Sequence, residues 1–484
     1  MPQLYFTDLG ALRRSAVVDG VIHELSEEVV DVAQHFGLVD GMPFILGCDG
    51  SYDHDLNRFF RACPTMGVRS LNSLRAYARD IVVWLRFLAE RRDGKSIWSA
   101  DREDIAAFHQ ARRLSAPPHR ISASSWNRGV AALDKLYRWA VEERLITKAP
   151  FTYRQVWVRT SDGSNMAVAA NMAREAAGRH RNTRFVSLDR FLLFRDVGLR
   201  GRLPDGREDP TWRGRNGERN SLFAELLVTT GLRLQEGATL LSPELPSSVS
   251  QPPNHRSIPF RLASAAAKGN KGREVRLPLR LVKRLRDYIE LERANSFARC
   301  RQRRSWRRID NPLVVTGADR KSLRFDSPGP RGVIRVDEVK PDERLRLLHE
   351  GSMEPLALWL TEGGMPMPIE TWEAVFRRAS ERCQSFGIDI DVTPHMLRHS
   401  FAVHMLTLLL REQIGWMLEE RAGRLSPAYR RMIGDPLLKL QRLMGHSRIE
   451  STYIYLDHLD DTQELIDAAV EQWGLDVSAV EHAA

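Results

Sequence analysis

At 484 residues, with 43% of them hydrophobic and 28% charged, the chain is globular in composition and too long for one ordinary core, so two or three domains are expected. No apolar run is long enough to span a bilayer and the opening MPQLYFTDLGALRRS lacks the apolar centre of a secretory signal; Cys48, Cys63, Cys300 and Cys383 form no CxxC pair. These features set aside membrane, secreted and disulfide-stapled classes and predict a cytoplasmic protein, while a net charge of +10 and arginine blocks such as RCRQRRSWRR (299–308) and RGRNGER (213–219) point to a polyanionic partner.

Residues 1–65 mix short apolar pieces with turn signals and form an N-terminal extension of unknown role. From Ser70, Leu74, Ala78, Ile81, Leu85 and Leu88 recur on one helical face. The acidic SADRED around Asp101 starts a second helix, and Trp126, Val130, Leu133, Tyr137 and Ala140 stripe a third. Together they predict an all-helical domain over 66–150. The polar, basic stretch that follows reads as an interdomain linker, 151–182. Ser187 is placed to cap a helix carrying Leu188, Phe191, Leu192 and Phe194, which opens a larger domain over 183–484. Its expected class is α+β, mainly helical with a small β-sheet. Within it, 198–220 and 300–312 look peripheral or poorly ordered.

Four pieces of this second domain carry chemistry. In LLVTTGLRLQEGATL an apolar helical run ends at Gly231, Arg233 follows in a tight turn, and Glu236 lies three further on; alone this reads as a surface arginine after a helix end. In FRLASAAAKGNKGREVRLPL two alternating segments flank KGNKG, a hairpin with Lys268 at the edge of its turn. In VTPHMLRHSFAVH, Thr393 is a good N-cap and Pro394 a favoured first helical residue. His395 and Arg398 then share one side of the first turns beside unpartnered N–H groups, which makes an anion site. A metal site built from His395 and His399 lacks the glutamate of a zinc hydrolase helix and has cationic Arg398 between its ligands, so phosphate binding is preferred. His399 and His404 are expected to pack or to position neighbours. The fourth piece, LMGHSRIESTYIYLDH, offers His446, Tyr453 and Tyr455.

Taken in order, these pieces resemble the tyrosine recombinase family, also called phage integrases: TGLRLQE its first-arginine motif, KGNKGR its hairpin lysine, HMLRHSFAVH its His-x-x-Arg box, and MGHSRIESTYIY its Gly-His followed by the nucleophilic tyrosine. WNRGVAALDKLYRWAVEERLI is similar to part of the family's DNA core-binding domain. The resemblance covers roughly 70–475 and implies a catalytic set of Arg233, Lys268, His395, Arg398, His446 and Tyr455, with Glu236 and His399 behind it. The family's spacing of nine positions after the Gly-His histidine selects Tyr455 over Tyr453, and the first lysine of the KGNK pair selects Lys268 over Lys271. Departures from the family pattern are the extension 1–65 and long insertions, at 198–220, 299–345 and 411–436.

The implied reaction is site-specific cutting and rejoining of double-stranded DNA through a 3′-phosphotyrosyl link, as in an integrase or transposase of a mobile element. Arg233 and Arg398 would neutralise the non-bridging oxygens, His446 would add a donor, His395 would take the tyrosine proton and Lys268 would return one to the 5′ oxygen. No metal or other cofactor is then expected. The apolar side of DTQELIDAAVEQW, with Leu465, Ile466, Ala469 and Trp473, implies a C-terminal helix joining a homotetramer on synapsed DNA, with an accessory DNA-bending protein as a further partner. Competing readings are a type IB topoisomerase and a DNA-binding relative without catalysis.

Overall fold

The computed structural model describes residues 1–9, 16–18, 21–23, 28, 31–32, 35, 37–159, 165–176, 184–246, 256–326, 332–421 and 435–456. It divides into two units, Met1–Arg179 and His180–Ala484. Among the described residues no helix is long and apolar enough to cross a membrane.

The first unit is a helical cluster with small strand pairs at its margin. Strand β1 (Gln3–Phe6), β2 (Ala16–Val18), β3 (Val21–His23) and β4 (Pro43–Leu46) precede helices α1 (His54–Ala62), α2 (Leu71–Arg91), α3 (Arg102–Arg113) and α4 (Ala123–Glu142). The stripes read from sequence become its core, with Leu74, Ala78, Ile81, Trp126, Val130, Leu133, Tyr137 and Ala140 all buried. The acidic start expected for α3 takes the form of a capping box: the Asp101 carboxylate accepts from the Glu103 and Asp104 amides, and Asp104 accepts from the Asp101 amide. The extension is no separate appendage. Strand β1 pairs antiparallel with β4, and the buried Asn57 amide clasps both the N–H and C=O of Ile45 at 2.7 and 2.9 Å, so that Ile45 joins Phe59 and Phe60 in the helical core.

The stretch read as an irregular linker contains a hairpin, β5 (Tyr153–Arg159) paired with β6 (Asn165–Asn171). Its polar residues find partners far back in the chain. Tyr153 and Asn171 both donate to Asp134 (2.7 and 2.8 Å), and Glu175 receives a fork of bonds from Arg113. Polarity alone suggests solvated backbone; distant partners are invisible to composition.

The second unit packs its core around α6 (Gly217–Thr230), whose Leu222, Phe223, Leu226 and Leu227 are fully buried, as expected of a helix apolar on nearly every side. Before it runs α5 (Leu188–Leu193), with Ser187 at the N-cap but making no side-chain cap bond. After it come α7 (Leu234–Ala238), the antiparallel pair β7 (Ser257–Leu262) and β8 (Arg273–Pro278), α8 (Leu279–Tyr288) and α9 (Ala294–Arg303). An inserted layer follows: β9 (Leu313–Val315), then β10 (Gly317–Ala318), β11 (Ser322–Arg324) and β12 (Val333–Arg335) in one antiparallel sheet, with β13 (Leu347–His349) parallel to β9. Helices α10 (Ile369–Ser385), α11 (Pro394–Arg421), α12 (Pro436–Met444) and α13 (Glu450–Tyr453) are the last elements among the described residues. Phe223 stacks on Trp372 of α10 at 3.6 Å between ring centres.

The segments expected to be peripheral are anchored by arginines. Arg219 donates to Leu360 O and lies over the Trp372 ring, and Arg382 covers Trp212 while reaching Asp209 at 2.7 Å. The insertion after α9 hangs on Arg344, 1% exposed, which donates to Glu244 and to the carbonyls of Thr239, Val336 and Val339. Most of the 411–436 insertion's distinctive sequence and all of the DTQELIDAAVEQW stretch lie outside the described residues.

Candidate active site

Two helix ends make the floor of the site. Helix α6 terminates at Gly231 and α12 at Gly445, each in the left-handed conformation (φ 65° and 63°). The last carbonyls of a helix have no partner within it and carry its negative dipole end. Here they face Arg398, whose terminal nitrogens donate to Gly231 O and Met444 O, while Leu443 O accepts from Arg273 Nε at 3.0 Å. Neither glycine tolerates a side chain. A Cβ on Gly231 would sit 2.4 Å from the Phe401 ring, and one on Gly445 would sit 2.7 Å from Arg273 Cδ.

Above the floor, the short helix α7 opens at Arg233, and Glu236 three residues on turns back to accept from the Arg233 backbone amide (2.8 Å) and its guanidinium (2.9 Å). The same carboxylate takes a two-pronged bond from Arg273, at 2.9 and 2.7 Å. Burial alone would raise the Glu236 pKa; the Arg273 bonds and charge, with the Arg233 amide and charge, outweigh it and hold the group at about 2. Arg398 is pushed the other way, to about 9, by burial and by Arg233 and Arg273, and remains protonated at neutral pH. Two guanidinium groups thus bond one carboxylate, and the third, Arg398, lies within its field. That surplus of fixed positive charge suits an incoming anion.

The tyrosine completes the arrangement. Tyr455 is 1% exposed, whereas Tyr453 is 46% exposed. Its hydroxyl lies 3.0 Å from His399 Nδ1, and its ring runs nearly parallel to that of His446, 6.1 Å between centres. Burial raises the Tyr455 pKa above the ordinary phenol value, against the pull of Arg398 and Arg233. His446 is lowered to about 4 by burial and then by Arg398, Arg233 and Arg273, so its ring is neutral at pH 7. His446 Nδ1 lies 3.0 Å from Thr452 Oγ1; in the neutral tautomer whose Nδ1 accepts from that hydroxyl, Nε2 carries the proton and can donate to an anion. Packing by Phe401, Leu406, Leu440 and Met444 encloses the tyrosine, and His404 helps to fix this layer through Val186 O at 3.1 Å.

The structure therefore gathers Arg233, Arg398, His446 and Tyr455, with Glu236 and His399 touching them. His395, the first of the box, is exposed one turn before His399, their rings 4.4 Å apart and edge to face. The tyrosine contact thus goes to the histidine that sequence had assigned a supporting place. Among the described residues no group of three His, Cys, Asp or Glu is arranged to hold a metal ion. Lys268 and Lys271 are both exposed on the β7–β8 turn, where Gly269 and Asn270 supply positive φ (72° and 54°). Sequence reasoning missed Arg273. The signal was its register: β8 alternates, with Arg273, Val275 and Leu277 facing inward, and an arginine on an apolar face requires a buried partner.

A family profile described as "Phage integrase, N-terminal SAM-like domain" matches residues 51–144, and one described as "Phage integrase family" matches residues 211–408. An "Integrase/recombinase" of Escherichia coli is 28% identical over 235 residues, 48% of this chain and 53% of that protein. A "Tyrosine recombinase XerD" of Corynebacterium glutamicum is 32% identical over 99 residues, 20% of this chain and 23% of its own. The chain thus spans about half the length of the first of these relatives, and less of the second. A solved structure of the XerH site-specific recombinase on its palindromic difH substrate covers 95% of this chain and 91% of its own at 12% identity, with a TM-score of 0.45, too loose a superposition to assign any residue.

Proposed function

The chain belongs to the phage integrase family of tyrosine recombinases, and from that premise we propose that it is a site-specific DNA recombinase working through a 3′-phosphotyrosyl intermediate. One observation carries the reading: a buried tyrosine hydroxyl held by a histidine at 3.0 Å, within the field of two arginines fixed by helix-end carbonyls and a carboxylate. A phosphodiester repels nucleophiles through its own charge. Arg233 and Arg398 neutralise its non-bridging oxygens, with no reorganisation left to do when charge builds on phosphorus.

In the proposed step the Tyr455 oxygen bonds to phosphorus, the bond to the 5′ oxygen breaks, and the phenol proton passes to His399, the base that touches it. His395, which the family pattern put in that role, lies next along the same face. Lys268 supplies the proton that the departing 5′ oxygen needs. Attack of another 5′ hydroxyl on the phosphotyrosine reverses the chemistry and rejoins the strand, so no external energy source is consumed. His446, neutral and donating, completes the phosphate's hydrogen bonds.

Double-stranded DNA is the proposed partner, contacted by the helical unit as well as the catalytic one. Assembly as a tetramer on paired sites, and use by a mobile element, belong to the same proposal. It is tested by capturing covalent adducts on fragments of the DNA flanking the gene, then placing two copies of a captured site on one plasmid. Recombination between the copies is expected. Relaxation of plasmid lacking any such site, without exchange, would favour the type IB topoisomerase reading.

A further inference from the structure

The lysine turn is not held by its own hairpin alone. Between Leu262 and Arg273, the last pair of the β7–β8 ladder, ten residues intervene, a long loop for so critical a side chain. Its first limb is clamped from outside. Asp337 Oδ1 accepts from the Ser264 amide at 2.7 Å, Asp337 Oδ2 accepts from the Ser264 hydroxyl at 3.1 Å, and the Asp337 carbonyl accepts from the Ala265 amide at 3.0 Å. From there the order passes along the turn: Ser264 O accepts from Ala267 N at 3.0 Å and Ala267 O from Asn270 N at 3.1 Å, so Lys268 is bracketed. The second limb returns against the same serine. A Cβ on Gly272 would stand 2.6 Å from Ser264 Oγ.

Asp337 is itself immobilised. It lies between Val336 and Val339, both buried in the small core of the inserted layer, and Arg344 takes the carbonyls of both. Arg344 also takes Thr239 O, at the C-terminal end of α7, and the Glu244 carboxylate beyond it. The inserted layer therefore bridges the helix that starts at Arg233 and the turn that carries Lys268. The Arg344 end of that bridge is buried and the Asp337–Ser264 end half-buried; bonds withdrawn from water in this way resist displacement because their loss leaves polar groups unpaired.

We infer that Asp337 is a positioning residue for the strand-cleavage step, and that the insertion containing it serves to hold Lys268 in place relative to the arginines. This rests on the recombinase reading and on Lys268 as the proton donor, yet the clamp can be tested without either.

Hydrogen exchange of the full-length protein gives the first test. In Asp337→Ala the Ser264 and Ala265 amides should exchange at least about tenfold faster. In Asp337→Asn, which keeps an acceptor for the Ser264 amide and a donor for its hydroxyl, they should stay within about twofold of the original rate. Unchanged exchange in Asp337→Ala overturns the clamp, whatever the enzyme does.

The second test uses nicked duplex cut by the original protein, with the bridging 5′ oxygen either present or replaced by sulfur, which leaves without a proton. On oxygen, Lys268→Ala and Asp337→Ala should both slow cleavage, Asp337→Ala by about tenfold or more in kcat with little change in KM, and Asp337→Asn should restore it. On sulfur both alanine variants should recover. Recovery of Lys268→Ala without recovery of Asp337→Ala overturns the inference. Failure of Lys268→Ala itself to recover, with exchange faster in Asp337→Ala, removes Lys268 as the donor and leaves the clamp standing.

Discussion

The arginine side of the active site and its lysine side are constructed by opposite means. Arg398 and Arg273 are buried, and their nitrogens are shared among helix-end carbonyls and the Glu236 carboxylate. Lys268 and His395 are exposed, on a turn and on the first turn of a helix. The groups that neutralise charge are thus fixed before any ligand arrives, at a desolvation cost met by those bonds, while the exposed groups keep their hydration. Charge stabilisation gains from rigidity because reorganisation is its main cost. Proton transfer demands reach and a suitable pKa, and burying a lysine would depress its pKa.

Breaking the enclosed side at its centre should have the largest effect. Tyr455→Phe should abolish covalent DNA adducts entirely, with the fold intact by circular dichroism. Arg398→Ala removes the donor shared by both helix ends and should slow cleavage by about 10³-fold in single-turnover assays. Glu236→Gln strips Arg233 and Arg273 of their counter-charge and should cost about 3 kcal/mol in urea unfolding, since removing one partner strands the other. Among the groups that move protons, His399→Ala, at a half-buried position, should slow cleavage by about 10²-fold and His395→Ala, at an exposed one, by less; the reverse order would return the base to His395 and contradict the contact seen at Tyr455.

The last expectation concerns pH. His446 has a pKa of about 4 in the folded protein, below the ordinary 6.5, so between those values the unfolded chain binds more protons. Stability should rise as pH increases from about 4 to 6.5, and His446→Gln should flatten that part of a plot of thermal midpoint against pH. Glu236, held at about 2 against an ordinary 4.5, adds a rise of the same sign at lower pH.

Most of the helices and the motif residues were legible because they leave local marks. The apolar stripes of α2 and α4, the Asp101 cap, Gly231 as a helix stop, and the Asn and Gly of the lysine turn are all short-range signals. Long-range polar pairing left none. Asp134 with Asn171, Arg344 with Glu244, and Asp337 with Ser264 are separated by 37, 100 and 73 residues, and these pairs turn stretches that look like solvated loop into ordered structure. The choice between His395 and His399 was equally out of reach, because both lie on one helical face and only the path of the chain from Gly445 to Tyr455 decides which of them meets the hydroxyl.

The most direct measurement is the identity of the linked atom: the protein is trapped on nicked duplex, digested, and the DNA-bearing peptide sequenced by mass spectrometry. A 3′-phosphate on the oxygen of Tyr455 is expected. A link through Tyr453, through a serine, or to a 5′-phosphate would contradict it, because the proposed step bonds the Tyr455 oxygen to a 3′-phosphate neutralised by Arg233 and Arg398.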